Sequence, residues 1–245
     1  MKTAGMNTID VSKVPPISLD HIGKKFDSNG NVLRYPGNTL VCHVPLFTPL
    51  SDALVAVRDT VRSSLFASSL TFLPPESYHM TVFEGVADRE RDNGRWPMDL
   101  PHDASVLECT RHFAAKLESF DLGCALPLRL RVAERANQTH IGCIKLVPVD
   151  AAEERKLRDL RTRLAECLSL RTAWHDHYEF HITLSYLIRP MTPDVTRACL
   201  DLVSGCFAGV GMLFDVIELG APEFCVFNDM YAFDNQFFLR RIASQ

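Results

Sequence analysis

Two short stretches of this sequence decide its fold: Tyr-His-Met-Thr-Val-Phe-Glu at residues 78–84 and Phe-His-Ile-Thr-Leu-Ser-Tyr at residues 180–186. Each contains a histidine, one further residue, a threonine and an apolar residue, and the two histidines are 102 positions apart. Because alternate residues of a β-strand point to the same side, each stretch predicts a strand with histidine and threonine on one face. The apolar residues between them occupy the other face, which is typical of a strand that packs on a core.

The segments that lead to the two stretches follow the same order. Residues 38–47 predict a strand and residues 50–65 a helix before the first stretch, whereas residues 139–147 predict a strand and residues 150–170 a helix before the second. Asp150 is the expected N-cap of the second helix. A repeat on this scale predicts two similar halves related by a pseudo-twofold axis.

The rest of the chain predicts further strands and helices around these units. Residues 1–37 are rich in turn-forming residues and predict an extended N-terminal segment, followed by a single domain over residues 38–245. Residues 178–188 read as one long strand, which would turn Tyr186 away from His181 and into the core. The other expected elements are helices at 104–120 and 192–207 and strands at 126–132, 212–219, 223–227 and 231–240.

Composition limits the classes of function. A chain of 245 residues, 47% of them hydrophobic, is long enough for one substantial core. The formal net charge of −4 argues against a surface that holds long nucleic acid through many phosphates. The N-terminus lacks the apolar run of a signal peptide and no long apolar stretch predicts a membrane span, so we expect a cytoplasmic protein. Eight cysteines without a Cys-x-x-Cys pair favour reduced core residues.

The paired motifs favour one kind of chemistry, which is displacement at phosphorus without a metal. One neutral histidine can take a proton from the attacking water or hydroxyl while the other, protonated, gives one to the leaving oxygen. The ordinary imidazole pKa near 6.5 allows a pair to share these roles close to neutral pH. The threonine hydroxyls can donate hydrogen bonds to the non-bridging phosphate oxygens.

The motifs His79-Met80-Thr81-Val82 and His181-Ile182-Thr183-Leu184 resemble the paired signature of the 2H phosphoesterase superfamily, which includes the bacterial 2′-5′ RNA ligase-like proteins and cyclic nucleotide phosphodiesterases. The run Arg34-Tyr35-Pro36-Gly37-Asn38-Thr39 is similar to a little-characterised bacterial and fungal branch of that superfamily. The resemblance covers about residues 38–240. Family members often have a proline just before the second motif, where this sequence has Glu179-Phe180.

The resemblance implies an α+β fold with two lobes, each an antiparallel sheet flanked by helices, around a central cleft. It also implies metal-independent action on a 2′,3′-cyclic, 1″,2″-cyclic or 2′-5′ phosphodiester of a nucleotide or RNA end. By position, the catalytic residues would be His79 and His181, and the phosphate-holding hydroxyls those of Thr81 and Thr183. We expect a monomer without cofactor.

Five further residues are candidates for substrate binding. His43 lies on the strand expected beside the first motif, and Lys145 occupies the equivalent place in the second half. Arg34, Tyr35 and Asn38 could form a wall from the N-terminal segment, because arginine grips phosphate and tyrosine stacks on a base.

Two other functions stay open. His175, His177 and His181 share strand parity and could bind zinc or manganese in a metal-dependent hydrolase. Alternatively, the cleft could recognise a nucleotide or RNA end without efficient chemistry.

Overall fold

The structure is a computed structural model that describes residues 19–242, so residues 1–18 of the expected N-terminal segment lie outside the described residues. Four α-helices and ten β-strands lie within that range. The helices are α1 (Pro49–Arg62), α2 (Val106–Glu118), α3 (Ala151–Leu168) and α4 (Pro193–Leu213). The strands are β1 (Gly37–His43), β2 (Leu70–Phe72), β3 (His79–Ala87), β4 (Leu128–Val132), β5 (Cys143–Pro148), β6 (His181–Thr183), β7 (Ser185–Leu187), β8 (Ile217–Leu219), β9 (Glu223–Phe227) and β10 (Asp234–Phe238).

Eight of the strands form one antiparallel sheet in the order β10-β9-β1-β3-β6-β5-β4-β8. The predicted α+β class is confirmed, and the two sheets implied by the family resemblance are the two halves of this larger sheet. The halves join where β3 pairs with β6, with Met80 opposite Ile182. These two residues are themselves 102 positions apart, so the pseudo-twofold axis passes beside them.

The strand registers reproduce the repeat residue by residue. In the first half His43 lies opposite His79, and in the second half Lys145 lies opposite His181. Each residue of the first pair is 102 positions before its counterpart in the second. Side-chain chemistry therefore differs between the halves while the backbone arrangement repeats.

Helix α3 shows why these residues form a helix and where it packs. The Asp150 side chain accepts hydrogen bonds from the backbone N–H groups of Ala152 and Glu153, both at 2.8 Å, and caps the first turn as predicted. The apolar face of α3 contributes Leu157, Leu160 and Leu164, which are fully buried in the core. Burial of each of these side chains stabilises the fold by about 1.5–3 kcal/mol relative to leaving it exposed.

Helix α4 extends to Leu213, beyond the predicted end at residue 207. By length and composition it could span a membrane, and it is the one such helix in the described range. Its inner residues Cys199, Val203 and Phe207 are buried in the core and it packs against α1, as a core helix does.

The prediction of one long strand over residues 178–188 is wrong, because the chain breaks at Leu184. The backbone N–H groups of Leu184 and Ser185 both donate to the Gly142 carbonyl, at 2.8 and 3.1 Å. A side chain at Gly142 would lie 2.1 Å from the Ser185 carbonyl oxygen, so only glycine permits this approach. Beyond the break, β7 leaves the large sheet and pairs with β2 in a second, two-stranded sheet that the sequence did not predict.

Residues 19–36 form a segment that we call the strap. It runs along one edge of the cavity that contains the motif side chains. Phe26 and Tyr35 of the strap belong to the same hydrophobic core as the sheet and helices. The Thr71 hydroxyl on β2 donates to the Gly30 carbonyl at 2.9 Å and holds the strap's turn against the second sheet.

Candidate active site

The four motif side chains meet on one face of the sheet, at the junction of its halves. With Met80 opposite Ile182, the antiparallel register places His79 opposite Thr183 and Thr81 opposite His181. The two histidines are thus diagonal neighbours, which are about 7–8 Å apart in an ordinary sheet. All four side chains line a cavity of about 270 Å³.

Both imidazoles are held in the same way by their own strands. His79 Nδ1 lies 2.7 Å from the Ser77 carbonyl oxygen, and His181 Nδ1 lies 2.7 Å from the Glu179 carbonyl oxygen. Because a carbonyl only accepts hydrogen bonds, each Nδ1 carries the proton. The neutral ring then leaves its Nε2 lone pair available to a ligand.

The surroundings of His79 favour the neutral ring strongly. Burial, helped by the nearby His43, His181 and Lys25, lowers the pKa of His79 to about 3, although the bond to the Ser77 carbonyl acts in the opposite direction. The ring of Phe233 packs on it with centroids 4.2 Å apart. At neutral pH His79 is therefore an unprotonated base.

His181 has a different electrostatic environment. Burial and the nearby His140 lower its pKa, whereas the bond to the Glu179 carbonyl and the carboxylates of Glu84 and Glu179 act in the opposite direction. Carboxylates stabilise an imidazolium, so a protonated ring costs less at His181 than at His79.

Glu84 reaches the cavity because of a β-bulge in β3. The pairing with β1 shifts between Leu40–Phe83 and Val41–Thr81, so the alternation of side chains changes after Thr81. The Glu84 carboxylate then accepts a hydrogen bond from Trp174 Nε1 at 2.7 Å inside the cavity. Strict alternation from His79 and Thr81 would have placed Phe83 there instead.

Aromatic side chains form much of the cavity wall. They are Tyr35, Trp174, Tyr178, Tyr186, Phe227 and Phe233. The guanidinium of Arg95 stacks on Trp174 at 4.6 Å from its ring centroid and forms an ion pair with Glu90. Apolar rings beside two imidazoles and two hydroxyls suit a ligand with a phosphate at one end and a flat ring at the other.

Comparison with known proteins agrees with this geometry. Residues 25–141, a little under half of the chain, match the family model named 2H-phosphodiest, described as a domain of unknown function (DUF1868). This part of the chain is therefore similar to a 2H phosphoesterase family, as the motifs predicted. The matched residues include the first motif, whereas the second motif lies beyond them. No curated protein matches the chain.

A solved structure has a similar fold over nearly the whole chain. A conserved protein of unknown function from Agrobacterium tumefaciens str. C58 is 29% identical and superposes with a TM-score of 0.81. The similarity covers 90% of this chain and 92% of that one.

The strand neighbours of His79 and His181 lie beside the cavity and do not line it. The His43 ring is 6.0 Å from that of His79, and its Nδ1 donates to Glu223 Oε2 at 3.0 Å. Lys145 forms an ion pair with Glu179 and lines a neighbouring surface groove.

The three residues predicted as a substrate-side wall have separate places. Tyr35 lines the cavity, with its ring stacked on Phe227, and burial raises its pKa to about 12. Asn38 borders the cavity, but its amide donates to the Thr110 hydroxyl at 2.9 Å and accepts from the Val86 N–H at 3.2 Å. Those bonds give it a structural role. Arg34 is exposed and is not among the lining residues.

The histidine trio proposed as a metal site is not brought together. His175 is buried against Phe83, and neither it nor His177 joins His181 in a cluster of possible ligand atoms within the described range. The one such cluster found there is His43, Glu223 and Cys225, whose ligand atoms lie within 4.8 Å of one another. The Glu223 carboxylate already accepts hydrogen bonds from His43 and from Asn235, the latter at 2.6 Å.

Several lining residues were not predicted from the sequence. Tyr186 was expected in the core, and the break at Leu184 turns it into the cavity. Lys25, Glu84, Trp174 and Phe233 were not singled out. Their sequence neighbourhoods offer only weak signals, such as the paired lysines of Gly23-Lys24-Lys25-Phe26.

Proposed function

We propose that this protein is a 2H phosphoesterase that hydrolyses a small phosphodiester of a nucleotide, a 2′,3′-cyclic phosphate foremost and a 1″,2″-cyclic or 2′-5′ linkage as related substrates. His79 and His181 are the acid–base pair, and no metal takes part. The observation that carries the proposal is the diagonal placement of two imidazoles with free Nε2 atoms, with a threonine hydroxyl beside each.

The electrostatic difference between the histidines assigns their roles. His79 is the base because burial, together with the nearby Lys25 cation, keeps its ring neutral. His181 is the acid because Glu84 and Glu179 stabilise its charged form, and the negative charge of a bound phosphodiester stabilises it further.

The reaction then proceeds as an in-line displacement. His79 Nε2 takes a proton from water as the water oxygen attacks phosphorus. The bond from phosphorus to one ribose oxygen breaks, and that oxygen receives the proton of His181. The Thr81 and Thr183 hydroxyls donate to the non-bridging oxygens, where negative charge increases in the transition state.

The cavity supports a small substrate. Its volume of about 270 Å³ suits one nucleotide better than a length of RNA, although the end of an RNA could also enter. Rings such as Tyr35 and Trp174 can stack on a base. We expect the protein to act in the cytoplasm as a monomer without cofactor.

The proposal is tested by measuring kcat for hydrolysis of the four nucleoside 2′,3′-cyclic phosphates in excess chelator. His79→Asn and His181→Asn should each reduce kcat by about 10²–10⁴-fold. The matched control is His102→Asn, since His102 has a side chain 67% exposed and does not line the cavity.

Full activity in either motif variant would overturn the mechanism. Loss of turnover in chelator, restored by zinc or manganese, would favour a metal-dependent hydrolase. Product binding without turnover across the phosphodiester panel would favour the binding function.

A further inference from the structure

Within residues 19–242, the charged groups that line the cavity leave one cation without an ion-pair partner. The lining residues with permanent charges are Lys25, Glu84, Glu90 and Arg95. Arg95 pairs with Glu90, and Glu84 accepts from Trp174. Lys25 forms no ion pair with any residue in the described range 19–242.

The ammonium group of Lys25 lies between two aromatic rings. Its Nζ is 5.3 Å from the ring centroid of Tyr35 and 5.5 Å from that of Tyr186. Rings at these distances attract a cation and replace part of its water. A cation that has lost water but has no carboxylate partner binds an anion more strongly than a fully hydrated one.

The strap fixes Lys25 at this place. Its carbonyl accepts from the Leu33 N–H at 2.8 Å, and the next residue, Phe26, is fully buried with its ring 5.0 Å from that of Tyr186. The Asp27 carboxylate closes the turn beyond by accepting from the N–H groups of Asn29 and Asn31. Lys25 therefore lies on an anchored turn, and its backbone loses little freedom when a ligand binds.

We propose that Lys25 is the phosphate-binding cation of this site, supplied by the strap to neutralise the anionic oxygens held between the two motifs. The assignment rests on the proposed function in taking a phosphate ester as the ligand.

The site needs such a cation because its other phosphate ligands are neutral. Both motif histidines have lowered pKa values, so neither ring is charged in the empty cavity at neutral pH. The threonines contribute only hydroxyl groups. Lys25 is also close enough to contribute to the lowered pKa of His79, which places its charge on the side of the proposed base.

The experiment measures binding and turnover separately. Dissociation constants for inorganic phosphate and for nucleoside 2′- and 3′-monophosphates are determined by calorimetry at pH 7 in the full chain. The variants are Lys25→Met, Lys25→Arg and Arg34→Met. Arg34 is the matched control because it is a cation of the same strap that lies outside the cavity.

Lys25→Met should weaken binding by about tenfold to a hundredfold, the range for loss of a charge-assisted hydrogen bond. It should also flatten the dependence of affinity on salt. Lys25→Arg should recover most of the affinity, and Arg34→Met should bind as the wild type does. With a cyclic nucleotide, Lys25→Met should raise KM more than it lowers kcat.

The outcomes separate this proposal from the proposed function. If turnover depends on both motif histidines but Lys25→Met binds phosphate as Arg34→Met does, the assignment of Lys25 is wrong and the function stands. If no phosphodiester is turned over but Lys25→Met still loses affinity, the binding residue is correct and the enzymatic function is wrong. Wild-type protein that binds none of the phosphate probes would overturn the assignment.

Discussion

The two halves of the sheet share a backbone arrangement and differ in charge. In each half the motif histidine donates its Nδ1 proton to the carbonyl two residues earlier, at the same distance of 2.7 Å. Around His79 the neighbours are Phe233, His43 and the Lys25 cation. Around His181 they include the carboxylates of Glu84 and Glu179.

This difference shows how a symmetric frame can support an asymmetric reaction. The repeat positions two equivalent imidazoles, and residues outside the motifs make one of them the better base and the other the better acid. Environments that push two pKa values apart are the usual way in which like groups acquire acid and base roles. Four predictions test whether the halves differ in this sense.

The largest expected effect comes from changing the leaving group. In His181→Asn, kcat on a nucleoside 2′,3′-cyclic phosphate should fall by about 10²–10⁴-fold, because the leaving ribose oxygen needs a proton. On a 2′-deoxynucleoside 3′-(p-nitrophenyl) phosphate, which has no 2′-hydroxyl to attack, kcat of this variant should fall by about tenfold or less, because nitrophenolate leaves without protonation. His79→Asn should lose activity on both substrates, since attack by water needs the base.

Steady-state rates on the two substrates check this assignment, with His102→Asn as the control. The reverse pattern, with His79→Asn rescued by nitrophenolate, would exchange the roles. Equal losses on both substrates in both variants would show that the charge difference has no catalytic consequence.

The two threonines should also differ, with a smaller effect. Thr81→Val and Thr183→Val should each lower kcat by about tenfold to a hundredfold, because each removes a donor to the phosphate oxygens. Burial raises the pKa of the Tyr178 hydroxyl, and the nearby Thr81 hydroxyl interacts with it and lowers that pKa. Thr81→Val should therefore lower the free energy of unfolding by a further ~1 kcal/mol, which denaturant titration of both variants can measure. Equal stability of the two variants would contradict this difference.

The sequence predicted the elements that depend on local periodicity. Alternation placed His79 and Thr81 on one face, and the repeat predicted that His43 and Lys145 would be equivalent neighbours, as the registers confirm. Features that depend on contacts distant in sequence were missed. The approach of Gly142 to Ser185 breaks a strand and exposes Tyr186 to the cavity.

The charged residues beside the two histidines were missed for the same reason. A bulge in β3 brings Glu84 towards His181, and the fold of the strap brings Lys25 towards His79. Each pair combines residues from different segments, so spacing in the sequence carried no signal for it. The motifs were therefore predictable, whereas the groups that distinguish one motif from the other required the structure.

The pH dependence should reveal the asymmetry without any substitution. The base is deprotonated above the His79 pKa of about 3, and the acid is protonated only below the lowered pKa of His181. The kcat/KM profile reports the free enzyme, so its optimum should lie below about pH 6.5, and kcat/KM should fall as the pH rises through neutrality. The kcat profile should fall at higher pH, since bound phosphate raises the pKa of His181. A kcat/KM optimum above pH 7 would contradict this electrostatic picture.

The smallest expected effect isolates the contribution of one carboxylate. Glu84→Gln keeps an oxygen that can accept from Trp174 Nε1 but removes the negative charge that favours protonated His181. Loss of that charge lowers the pKa of His181 further, so the falling limb of kcat/KM should move to lower pH by less than about one unit. The rising limb, set by His79, should not move, because Glu84 is not among the groups that shift its pKa. A shift of the rising limb alone would assign the lower of the two pKa values to His181 and contradict this electrostatic picture, and profiles of wild type and Glu84→Gln at constant ionic strength distinguish the two results.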